Sequence, residues 1–169
     1  MPRVKDTLGR VGGRQHHWER GLSDMNNEPT IYLNGRFLPL SNARVSLFDA
    51  GLVWGAMLFE TTRSFGHRPF KLRKHLGRLH ASMAVTGIEC GMSIDALEDV
   101  THELIRLNEA HYPADVDFSI VHNISPGPSL AYAEHTPEAG SPTVAIHMSS
   151  LAASMGALAN SFDSGVRAY

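Results

Sequence analysis

Lysine is nearly absent from this 169-residue chain, occurring only as Lys5, Lys71 and Lys74. Cysteine is scarcer still: Cys90 stands alone, which excludes an internal disulfide and any multi-cysteine metal site. A reducing, cytoplasmic setting suits such a chain. No apolar run approaches the roughly 20 residues needed to span a bilayer. The net charge of -2 leaves no basic field to attract nucleic acid or anionic lipid. The opening stretch up to Asp24 is polar and lacks the apolar core of a secretory signal. What remains is a chain with 43% hydrophobic residues, enough for one packed domain or one domain with a fragment of another.

Residues 1–28 read as a disordered extension, and a small domain is expected over residues 29–149. Thr30-Ile31-Tyr32-Leu33 and Arg36-Phe37-Leu38 flank Asn34-Gly35, a strong hairpin signal. A second hairpin is expected from Glu60–Phe65 and His67–Phe70, hinged at Gly66 and favoured by the β-branched Thr61 and Thr62. From Lys71 the period becomes helical: Leu72, Leu76, Leu79 and Met83 form one apolar face, ended by Thr86-Gly87. Ser93 caps a second helix with Ile94, Leu97, Val100, Leu104 and Leu107 on one side, stopping before Pro113.

Alternation from Val116 to Ile124 predicts a half-buried strand, and Thr143–Met148 another. The proline- and glycine-bearing stretch between them, Ser125 to Pro142, reads as a loop. Residues 150–164 are small and polar-rich, as in an interdomain linker, and residues 165–169 read as the start of a truncated C-terminal domain. The sum is an α+β fold, a mainly antiparallel sheet with two helices packed on it.

The run DAGLVWGAMLFETTRSFGHRPFKLRKHLGRL, from Asp49, adds chemistry to this order. A glycine-punctuated segment leads into Phe59, Glu60 and Arg63, and a helix carrying Arg78 follows. With IYLNGRFLPL before it, this order resembles the N-terminal domain of the class IV (fold type IV) pyridoxal-phosphate-dependent aminotransferases, over roughly Thr30 to Gly127. The resemblance implies a transferase that moves an amino group between an amino acid and a 2-oxo acid. It further implies pyridoxal 5'-phosphate as cofactor and a homodimer in the complete family architecture, with no nucleic acid or membrane partner.

Arg78 occupies the place of the arginine that grips the cofactor phosphate in the family, a task suited to a permanently charged, bidentate donor. From periodicity alone its helix face, shared with Lys71, His75 and Ser82, reads as merely solvated. Trp54 and Phe59 match aromatic positions that wall the substrate pocket, Trp54 standing where tyrosine is common; core packing is the ordinary alternative. Arg63 follows at the family spacing and is expected to contact or orient the pocket, an exposed strand arginine being the plain reading. Glu60 reads as structural, paired with Arg63 or a backbone amide. Asp49 and Gly51 are assigned to turn geometry.

Several positions depart from the family. Pro126 and Val121 stand where its D-amino-acid and branched-chain branches carry arginines, and Ala56 replaces an acidic residue. A branched-chain-type substrate is the first expectation, with a D-amino-acid aminotransferase or an aminodeoxychorismate lyase as alternatives. The resemblance places the lysine that joins the cofactor covalently in a second domain, beyond Tyr169, so no catalytic residue is assigned in this chain. It is expected to be inactive by itself, and a non-catalytic truncated scaffold is the rival class. Ten histidines suggest no metal site: His75 and His80 lie on different helix faces, and no HExxH motif occurs.

Overall fold

The computed structural model describes residues 28–156 and Gly165. Six strands form one sheet: β1 (Thr30–Leu33), β2 (Arg36–Pro39), β3 (Leu58–Phe65), β4 (Arg68–Pro69), β5 (Phe118–Ser125) and β6 (Thr143–Ser150). Their order is β2-β1-β6-β5-β3-β4, and every pairing is antiparallel. The expected α+β architecture is therefore present.

Both hairpins turn where the sequence predicts. Asn34 and Gly35 take φ of 48° and 85°, and Gly66 and His67 take 55° and 62°. Two successive positive-φ residues match the twist of the flanking strands, which is why two-residue turns suffice.

Two long helices cover one face of the sheet. In α2 (Leu72–Thr86), Leu72, Leu76, Leu79 and Met83 are buried, the stripe read from the sequence, and Gly87 closes it with φ 71°. In α3 (Ile94–Asn108), Ser93 accepts a hydrogen bond from the Ala96 amide, as its cap role requires. The buried face of α3 is Leu97, Thr101, Leu104 and Asn108; Leu107, expected on it, is exposed. The displacement has a polar cause. The Asn108 Nδ2 donates to the Thr30 carbonyl at 2.8 Å, and the Thr30 amide donates to the Asn108 Oδ1 at 2.8 Å, tying α3 to the start of β1.

Two short helices differ from the sequence expectation. The segment read as a glycine-bounded turn contains α1 (Ala50–Trp54), capped by the Asp49 side chain and closed by Gly55 at φ 69°. The stretch read as a linker begins with α4 (Leu151–Gly156). The expected N-terminal extension, save Glu28, the rest of the linker, and residues 166–169 lie outside the described residues. Among the described residues, no helix is long and apolar enough to cross a membrane.

Alternation divides the sheet into two unlike faces. Toward α2 and α3 point Glu60, Thr62 and Ser64 of β3 and Phe118, Ile120, His122 and Ile124 of β5, all buried. Away from the helices point Phe59, Thr61, Arg63 and Phe65, all exposed. Strand β4 pairs only with Ser64 and Phe65, so the edge of β3 from Leu58 to Thr62 has no strand beyond it among the described residues.

Candidate active site

The open edge of β3 is where α2 reaches the sheet with polar groups. Glu60 is only 3% exposed, yet its carboxylate is fully occupied. Arg78 donates from Nε to Oε2 at 2.7 Å and from Nη2 to Oε1 at 2.5 Å. His75 Nδ1 lies 2.8 Å from Oε1, and the Thr61 amide donates to the same oxygen at 3.1 Å. His75 and Arg78 are three residues apart and so share a helix face. Burial pushes the Glu60 carboxyl up; the hydrogen bonds and charges of Arg78 and His75 outweigh it and hold the group below the usual carboxylate value. The same bonds and the Glu60 charge raise Arg78 above its ordinary value.

Glu60 is held, as expected, by a backbone amide, that of Thr61, and its side-chain partners are Arg78 and His75 rather than Arg63. The Arg63 guanidinium lies 4.0 Å from the centroid of the Phe65 ring, toward the hairpin tip and away from Phe59. Sequence reasoning placed His75 on the Arg78 face without a role. The signal that could have found one is the pairing of a buried-strand glutamate with two basic residues at helical spacing.

Arg78 keeps 69% of its side chain exposed, and its Nη1 has no partner among the described residues. An exposed guanidinium with spare donors, fixed to a buried carboxylate, fits an anion such as a phosphate monoester. Among the described residues, the two lysines lie apart from this cluster. Lys71 stands over the Phe70 ring at 4.8 Å, and neither Lys71 nor Lys74 is bonded to Glu60, His75 or Arg78.

On the opposite face a cavity of about 370 Å³ opens between α1 and the sheet. Its walls include Val45, Leu52, Met57, Asn123 and Ala145. Phe59 pairs in register with Asn123 but does not line the cavity itself, and the residue is 69% exposed. Trp54, also exposed, leans toward Tyr132 at a centroid distance of 6.4 Å. The four residues singled out from the sequence are therefore not gathered around one void. Arg78 approaches β3 through Glu60, whereas the neighbouring Phe59 points to the other face; Trp54 and Arg63 lie apart from both contacts.

Asp49 holds the cavity wall together and does more than shape a turn. Buried at 3% exposure, it accepts from the Gly51 amide at 2.8 Å and from the Ser125 and Thr143 hydroxyls at 2.7 and 2.6 Å. Nearby, Gly127 has φ of 79°, and a Cβ there would lie 1.6 Å from the Ser141 carbonyl oxygen, so only glycine fits.

Residues 57–164 match the family model described as amino-transferase class IV. A putative branched-chain-amino-acid aminotransferase of Methanocaldococcus jannaschii is 37% identical over 78 residues, covering 46% of this chain and 27% of that protein. The aminodeoxychorismate lyase of Bacillus subtilis is 34% identical over 79 residues, covering 47% and 27% respectively. The branched-chain amino acid aminotransferase structure from Escherichia coli superposes with a TM-score of 0.60 at 25% identity, over 72% of this chain and 41% of that one. These alignments span about a quarter of the curated relatives and two fifths of the solved structure. The family match covers well over half of the chain, and the fold is shared: the chain belongs to the class IV aminotransferases.

Proposed function

We propose that this chain forms the small-domain part of a pyridoxal-phosphate-dependent aminotransferase, in which Arg78 holds the cofactor phosphate. The observation that carries this reading is the Arg78 guanidinium, anchored at the open edge of β3 with Nη1 unused, one strand position from Phe59. When bound, the cofactor supplies the electron sink for moving an amino group to a 2-oxo acid. The chain's own residues bind and orient: Arg78 takes the phosphate, while Phe59 and Trp54 present apolar area on the face opposite the helices. The apolar lining from Val45, Leu52 and Met57 supports a branched, apolar amino acid as the substrate type. The exposed apolar surface around α1 supports burial against further protein, in keeping with a homodimer. Turnover requires a lysine beyond Lys5, Lys71 and Lys74.

Titration of the chain with pyridoxal 5'-phosphate and with pyridoxal, followed by fluorescence, tests the phosphate role. The phosphorylated ligand is expected to bind about tenfold more tightly, a difference of about 1.4 kcal/mol. Arg78→Ala should erase that preference while leaving the urea midpoint little changed. Equal affinities for the two ligands in the unaltered chain would defeat the assignment. A visible band bleached by borohydride, mapped to one of the three lysines, would defeat the lysine requirement.

A further inference from the structure

We infer that Glu60 is a positioning residue: by occupying the Nε–Nη2 side of the Arg78 guanidinium, it turns the Nη1–Nη2 end outward as a preset fork for a phosphate monoester. The inference rests on the proposed phosphate role of Arg78 and adds a requirement that role does not contain. A guanidinium offers five N–H donors in a rigid plane, so a carboxylate on one side fixes the direction of the rest. Here the fixing end is the buried one. Glu60 is 3% exposed, whereas the Arg78 side chain is 69% exposed. Glu60 is held in turn by His75 Nδ1 at 2.8 Å and the Thr61 amide at 3.1 Å. The carboxylate cannot swing out to follow the arginine without abandoning those partners. Arg78 therefore meets an anion with its orientation already chosen, and less side-chain freedom is lost on binding.

The charge balance makes the inference testable by sign. Glu60 and Arg78 together are formally neutral, so the pair attracts phosphate through aimed donors rather than net charge. A glutamate serving only as a counter-ion would repel the phosphate, and its neutralisation would tighten binding. A glutamate serving as the anchor gives the opposite result.

Glu60→Gln, which keeps volume and removes the charge, is expected to weaken pyridoxal 5'-phosphate binding about tenfold and leave pyridoxal binding unchanged. Unchanged or tighter phosphate-ester binding overturns the positioning role. Arg78→Ala, run alongside, separates the two levels: if it too binds normally, the phosphate reading falls first; if it alone is impaired, only the Glu60 role falls. Should Glu60→Gln not fold, side-chain 15N spectra of the unaltered chain decide. The Arg78 Nε–H resonance is expected to stay hydrogen-bonded as pyridoxal 5'-phosphate is added, with the Nη resonances moving. Loss of the Nε–H bond on addition shows that the phosphate displaces Glu60 and overturns the proposal.

Discussion

On the helix-covered face of the sheet, Ile120, Ile124 and Ile146 are completely shielded, packed beneath Leu76, Leu79, Leu97 and Leu104. On the bare face of the sheet, Phe59 of β3 is 69% exposed, and Leu52 and Trp54 of α1 and Met57 are also open. The helix side of β5 and β6 carries large apolar residues, whereas the other side is mostly small or polar, with Ser119, Asn123, Thr143, Ala145 and Ser149. The partners differ too: one face has its helices, and the other has exposed aromatics on β3 and a cavity. The comparison teaches that the first face secures the fold, while the second leaves apolar side chains and a cavity uncovered. Arg78 and Glu60 meet on the helix side, along the unpaired part of β3.

The largest expected effect breaks the buried face. Leu76→Ala removes a fully buried side chain from the α2 contact and should cost about 2–5 kcal/mol in urea unfolding. A loss below about 1 kcal/mol would mean that this face is not the seat of stability.

An intermediate effect sharpens the comparison through pH. His122 is fully buried on the helix side, its Nε2 2.9 Å from the Thr101 hydroxyl, which itself donates to the Leu97 carbonyl at 2.6 Å. Burial lowers its pKa from 6.5 to about 4. The unfolded chain takes up the proton first, so the associated stability is intact above pH 6.5 and is lost as pH falls toward about 4. A gap of that size corresponds to roughly 3 kcal/mol. His147, lowered by burial on the bare face, adds loss of the same sign. Urea midpoints measured across this range should drop less steeply in His122→Gln; an identical slope would remove His122 from the account.

The smallest effect belongs to the bare face. Phe59→Ala should change stability by less than about 0.5 kcal/mol, as for an exposed side chain outside the core. A cost comparable with that of Leu76→Ala would erase the distinction between the faces.

Most of the framework was legible in the sequence because it rests on local signals. Asn34-Gly35 dictates its own turn, and the Leu72-Leu76-Leu79-Met83 spacing dictates its own buried stripe. Helix α1 was hidden because five residues, one of them Gly51, carry too little periodicity, and its cap, Asp49, also resembles a turn residue. Leu107 was misassigned because Asn108, 78 positions from its partner Thr30, decides which face of α3 turns inward. The site divides the same way. Arg78 could be singled out by resemblance, but the Glu60–His75–Arg78 cluster needs a strand edge and a helix face brought together by tertiary packing.

Asp49 has a mechanical corollary. Helix α1, the end of β5 and the start of β6 all hang from its single carboxylate through Gly51, Ser125 and Thr143. Oδ1 accepts from Gly51 and Ser125 and Oδ2 from Thr143, so freeing Thr143 alone leaves a buried oxygen without its donor. A change at Asp49 therefore reaches three walls of the cavity at once.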